Sequence, residues 1–206
     1  MSEVIQKKNR IEMNLSPTLP LLRRFQDKGA VDLRYSLMSP FANAHLSWNK
    51  TEEELIYEVE EPVLSKDEEE SLNLIKRAMR EVINLNVIVE KTQEELVNYI
   101  DKTMMLLIGE FNLKVTEESY KRIFYYLYRD FIGLERVEPL FRDYFIEDIE
   151  CNGINTPIYI VHRIYRNMKT NIVFTDIDEL ADFVEKLAQR AGRYISYAEP
   201  ILDGTL

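Results

Sequence analysis

The strongest constraint on this chain is the spacing of its apolar residues, which changes period twice. From Val31 the apolar positions alternate with polar ones: Val31, Leu33 and Tyr35 first, then Ala44 to Trp48, then Leu55 to Val59. A period of two belongs to strands with one face buried. From Ser65 to Gly133 the spacing becomes three and four, the period of helices. It then returns to short β-branched runs, and closes on one more helical stripe. Such an order predicts an α+β fold rather than alternating βαβ units. It consists of an N-terminal β-hairpin and a helical bundle, followed by a small antiparallel sheet with a packed helix.

Residues 44–48 and 55–59 read as the hairpin, with 49–53 as its turn. Its second strand, E-L-I-Y-E-V-E-E-P, sets Glu against apolar residues and predicts a sheet with one wet face. These carboxylates therefore read as a solvated surface rather than a metal site. Ser65 with Glu68, and Thr92 with Glu95, are capping boxes in which each side chain serves the other's backbone N–H. They start two helices with stripes Leu72, Ile75, Met79, Val82, Ile83 and Leu96, Ile100, Met104, Leu107, Ile108, Phe111. Thr116 starts a third, with Tyr120, Ile123, Phe124, Leu127 and Phe131 inward and Gly133 beyond its end.

The C-terminal third is expected to hold a strand over 145–151 and turn chemistry over 152–157. A second strand at I-Y-I-V-H, a turn near Arg166 and Asn167, and a third strand at M-K-T-N-I-V-F follow. Asp176 with Glu179 caps the last helix, whose stripe is Leu180, Phe183, Val184, Leu187 and Ala191, and Gly192 closes it. Tyr194 to Leu202 reads as a final extended segment. The expected organisation is a flexible arm over 1–30 with a short helix at Leu21–Gln26, a hairpin-plus-helical subdomain over 31–133, and an α/β subdomain over 134–206.

Composition narrows the function. A net charge of −10 argues against a nucleic-acid binder and against adsorption to anionic lipid. Cys151 is the single cysteine, so neither an intrachain disulfide nor a cysteine-based zinc site can form. It reads as a small strand residue. The most apolar run, Met104 to Ile108, falls far short of the about 20 residues that span a membrane. The N-terminus lacks a signal-peptide core. A cytoplasmic protein, peripheral to the membrane only through partners, is expected.

Catalytic patterns are missing. The glycines are too far apart for a phosphate-cradling P-loop, and neither G-x-S-x-G nor H-E-x-x-H occurs. No catalytic residue, bound cofactor or metal ligand is assigned within the chain. His45 and His162 lie in separate strands and read as half-buried or surface side chains. Glu147 and Asp148 are adjacent in a strand, so they should point to opposite faces and cannot act on one substrate. Arg190 and Arg193 flank a helix C-terminus, where cations favour the dipole.

Several collinear segments resemble the N-terminal domain of the secretion-ATPase superfamily, whose members drive type II secretion, type IV pili, archaella and type IV secretion. They are L-E-R-V-E-P-L-F-R-D, F-I-E-D-I-E-C-N-G, P-I-Y-I-V-H-R-I-Y, M-K-T-N-I-V-F and the closing L-A-Q-R-A-G-R-Y-I-S-Y-A-E-P-I-L-D-G-T-L. Upstream, Y-S-L-M-S-P-F-A-N-A-H-L and L-I-Y-E-V-E-E-P-V-L resemble the archaeal branch. The likeness spans about residues 31–206. It implies a parent ATP hydrolase that forms hexamers and holds ATP and Mg in a RecA-like domain following the D-G-T-L turn, with no nucleotide bound by the present chain. The partners implied are that ATPase domain, neighbouring subunits of the ring and a membrane platform protein. Arg190, Arg193 and Asp203 are the candidate contacts to the ATPase domain. The alternative is a stand-alone cytoplasmic sensor or adaptor module.

Overall fold

The computed structural model describes residues 11, 13–23, 27–82, 92–195 and 201–204. They divide into two compact units, one built on Pro62–Ile132, the other on Leu15–Glu61 and Gly133–Leu206. The fold is α+β. The expected hairpin thus groups with the C-terminal strands, and the helices come in sequence order between the two stretches that build the sheet. Ile83 and residues 196–200 of the expected elements lie outside the described residues, as do 24–26 of the expected arm helix. Leu21–Arg23 of that helix form no regular structure.

The sheet unit has six strands among the described residues: β1 (Asp32–Met38), β2 (Ala42–Asn49), β3 (Glu54–Glu60), β4 (Ile146–Glu150), β5 (Pro157–His162) and β6 (Arg166–Val173). Their order is β1-β2-β3-β6-β5-β4. Two antiparallel meanders meet at one parallel seam, where Ile56 faces Lys169 and Tyr57 faces Thr170. Main-chain pairing is short there, and the Asn171 side chain extends it. Val59 N–H donates to Asn171 Oδ1 at 2.9 Å, and Asn171 Nδ2 donates to Val59 O at 3.0 Å. The amide imitates a strand's backbone. Leu55, Tyr57 and Val59 are buried while Glu54, Glu58 and Glu60 stay half-exposed, the expected wet face.

A short helix α4 (Glu138–Phe141) leads into β4, and α5 (Ile177–Arg190) follows β6. Phe183 of α5 packs on Phe174 with ring centroids 5.3 Å apart. Arg136 ties this corner together. It donates to Val173 O at 2.7 Å, pairs with Glu179 and lies over the Phe174 ring. The β5–β6 turn falls at 163–165, earlier than expected. His162 Nδ1 accepts the N–H groups of Ile164 and Tyr165, which folds the chain back at once, and Arg166 takes a left-handed φ of 69°.

The helical unit packs α1 (Lys66–Val82), α2 (Gln93–Glu110) and α3 (Glu117–Phe131) pairwise. Both capping boxes form. Ser65 N–H donates to Glu68 Oε2 at 2.8 Å, and Glu68 N–H to Ser65 Oγ at 3.3 Å. Thr92 and Glu95 repeat the exchange. Ile75, Met79, Ile100, Met104, Phe124 and Leu127 are fully buried. Phe111, expected in the core, is exposed. It caps the end of α2, and Asn112 takes the left-handed position after it, with Leu113 N–H bonded to Ile108 O. That is a Schellman ending without glycine. Among the described residues no helix is long and apolar enough to cross a membrane.

Candidate functional site

The C-terminal turn of α5 gathers the residues expected to meet an ATPase domain. Gly192 is left-handed, φ 67°, and donates to Gln189 O, while Arg193 N–H reaches Ala188 O at 2.9 Å. This Schellman closure presents Arg190 and Arg193 together, both exposed, at the negative end of the helix dipole. Gly204 packs against the same turn so closely that a Cβ there would lie 2.9 Å from that of Ala191. Asp203 is therefore brought to the end of α5 that carries the two arginines. Tyr194 and Ile201 are 88% and 92% exposed. Two cations, a carboxylate and the bare ring of Tyr194 at one helix end have the composition of a docking surface.

His162 corrects the sequence reading, because it is fully buried rather than half-buried. It lies in a polar cluster built on Asp143, which precedes β4. Asp143 Oδ2 accepts the hydroxyls of Tyr35 and Tyr57, each at 2.6 Å, and Oδ1 accepts Phe145 N–H at 2.8 Å. The two N–H groups that reach His162 Nδ1 leave its proton on Nε2, which faces the Tyr35 hydroxyl at 3.5 Å. The ring stacks between Phe145 and Tyr165. Burial pulls His162 down to about 4, against the opposing pull of Asp143 and Glu147. Burial, then Asp143, raises the Tyr35 phenol, and burial with Tyr35 and Asp143 raises that of Tyr57. At neutral pH the imidazole is uncharged and both phenols keep their protons. Every partner is engaged, so the cluster fastens structure rather than moving protons. It joins β1, one edge of the sheet, to the residue that introduces β4, the other edge, and so curls the sheet.

Nothing in the local pattern singled out Asp143, Tyr35 or Tyr57. The one available signal was chemical, since a tyrosine at an inward strand position needs a partner for its hydroxyl. Beside the cluster a cleft of about 320 Å³ is lined by Tyr35, Ser36, Arg142 and the segment 15–20. Ser36 Oγ is buried there without a partner.

Glu147 and Asp148 do not alternate as a regular strand would require. The β4–β5 register slips between Ile146 and Asp148, and both carboxylates are exposed. The bulge absorbs the half-turn that separates neighbouring side chains. Glu147 lies 3.8 Å from Arg163, and Asp148 Oδ1 accepts Ile149 N–H at 2.9 Å. Cys151 is exposed one residue past β4 and is not a strand residue. His45 sits on the wet face among Asp32, Arg34, Glu58 and Glu60. Among the described residues no group of three or more His, Cys, Asp and Glu side chains is placed to hold a metal ion.

No family model matches the chain. Three uncharacterised proteins of Methanocaldococcus jannaschii are similar to it. The first is 30% identical over 161 residues, which cover 78% of this chain and 64% of that protein. The second is 44% identical over 94 residues, 46% of this chain and 17% of that protein. The third is 31% identical over 144 residues, 69% of this chain and 18% of that protein. The chain spans less than two thirds of each of these relatives.

Proposed function

We propose that this chain is the N-terminal regulatory and assembly domain of a hexameric secretion ATPase. The motor would power archaeal type IV filament assembly, as pilus or archaellum, or protein export. The observation that carries the reading is the collinear run of segments ending in F-I-E-D-I-E-C-N-G and I-L-D-G-T-L. The first is β4 with the turn after it, and the second lies partly against the end of α5. Similarity to archaeal proteins of which the matched part is a minor share supports a module carried within longer polypeptides.

In this reading the domain supplies no nucleotide chemistry. ATP and Mg are held by a RecA-like domain of the parent protein, and the end of α5 with Arg190, Arg193 and Asp203 transmits its movement. Coupling needs an interface with two arrangements that nucleotide biases differently. A sheet curled by a saturated buried network is suited to moving as one body. A membrane platform protein is the remaining partner, so the motor would work at the cytoplasmic face without inserting.

The test is ATP hydrolysis by the full-length gene product. Hydrolysis that is lost when the lysine of its G-x-x-x-x-G-K-[ST] loop is replaced, in a particle of hexamer mass, supports the reading. A full-length product with no such loop and no hydrolysis would leave a stand-alone interaction module.

A further inference from the structure

Independently of the motor reading, the open edge of the sheet has the makings of a second site. β4 ends the strand order, so among the described residues one side of its backbone has no neighbouring strand. Along it runs a depression of about 280 Å³ walled by Leu140, Phe141, Ile146 and Ile149 and rimmed by Glu147 and Asp148. Phe141 and Tyr144 close by are 40% and 55% exposed. The charges are one-sided. Glu147 has Arg163 at 3.8 Å and Arg142 is engaged by Glu138, but Asp148 and Glu150 have no cationic partner among the described residues.

We infer that β4 takes an added strand from a basic partner segment, one that alternates Lys or Arg with aliphatic residues and seats an aliphatic side chain in the depression. An unpaired edge supplies backbone hydrogen bonds, and the side-chain pockets beside it supply selectivity. Uncovered edges invite indiscriminate pairing, and exposed charge is the usual guard. Here the guard also chooses. A second copy of the chain would set Asp148 and Glu150 against like charges, whereas a basic segment meets them with opposite ones. The excess of acid over base in the whole chain, net −10, works in the same direction.

The experiment is fluorescence anisotropy with a labelled Lys-Val-Lys-Leu-Lys-Val-Lys peptide, titrated with the full chain at low and moderate salt. Saturable binding is expected, together with amide shift changes confined to residues 140–150 and no binding of the peptide with Glu in place of Lys. D148K/E150K should weaken binding on the order of tenfold, and the milder D148N/E150Q should weaken it less. The control D182K/E185K on α5 should change little. The proposal is overturned if the peptide does not bind, if the control loses as much as the β4 variant, or if the chain self-associates through β4.

Discussion

The two units hold themselves together by opposite means. In the helical unit the polar work is mostly local or joins adjacent helices through ion pairs. Glu68 closes its own cap on Ser65 and also takes the Arg122 guanidinium of α3, while Asp130 is flanked by Arg129 and Lys76. In the sheet unit the buried polar work is remote, and its carboxylate, Asp143, takes hydroxyls and an N–H rather than a cation. Tyr35 and Asp143 are separated by 108 residues, and Tyr57 and Asp143 by 86. A cation that reaches the surface, as Arg122 and Lys76 do, can be resolvated when its pair is lost. A buried hydroxyl deprived of its acceptor cannot, so the same kind of substitution should cost more in the sheet.

Asp143→Ala should be the most damaging change. It strands two buried phenols and one N–H, at about 1–3 kcal/mol for each unsatisfied group, so a loss of at least roughly 3 kcal/mol is expected. The single tryptophan, Trp48, is in β2 and reports this unit in urea titrations by fluorescence. Asp130→Ala leaves Lys76 and Arg129 facing each other, half-buried, and should cost about 2–3 kcal/mol, read at 222 nm where the helices dominate.

Acid should separate the units by pH window. His162 is held near 4 when folded against 6.5 when free, so the unfolded chain binds the extra proton between those values. The sheet unit should therefore lose stability as pH falls from about 6.5 to 4, and His162→Gln should flatten that slope in Trp48 fluorescence. Glu68 is held down to about 2, chiefly by the Arg122 hydrogen bond, against an ordinary 4.5. Burial pushes Asp130 up, but Arg129 and Lys76 more than offset it and leave it lowered. The helical unit should therefore keep their contribution above about 4.5 and lose it as pH falls toward 2. Coincident transitions in both signals would contradict this division. The smallest effect is Ser65→Ala, which removes one cap bond and should cost about 1 kcal/mol in the 222 nm transition.

The same contrast explains what the sequence disclosed. Capping boxes at Ser65 and Thr92, the helix closed by Gly192 and the alternating face of β3 are each written within a few residues, and they were readable. The parallel seam was not, because Asn171 bridging to Val59 is a contact between segments 112 residues apart. Nor was the network on Asp143, whose local setting looks like an ordinary turn. The bulge at Glu147 is not legible either, because its one-residue slip against β5 depends on the partner strand and leaves no mark on the local alternation. Left-handed Asn112 and Glu135 are not legible, because glycine is the residue that ordinarily marks that conformation. At the candidate interface, Arg190, Arg193 and Asp203 were named from the sequence, but their convergence depends on Gly204 packing against Ala191, which no local pattern encodes.

For the proposed function, the most direct measurement compares ATP hydrolysis by the full-length gene product and by its Arg190→Glu/Arg193→Glu variant, with Trp48 unfolding followed in both. If the end of α5 transmits motion to the motor, the reversal should lower turnover several-fold, about 1 kcal/mol or more in the barrier, with the unfolding midpoint unchanged. An unchanged rate in a hydrolysing parent would contradict the role assigned to this helix end.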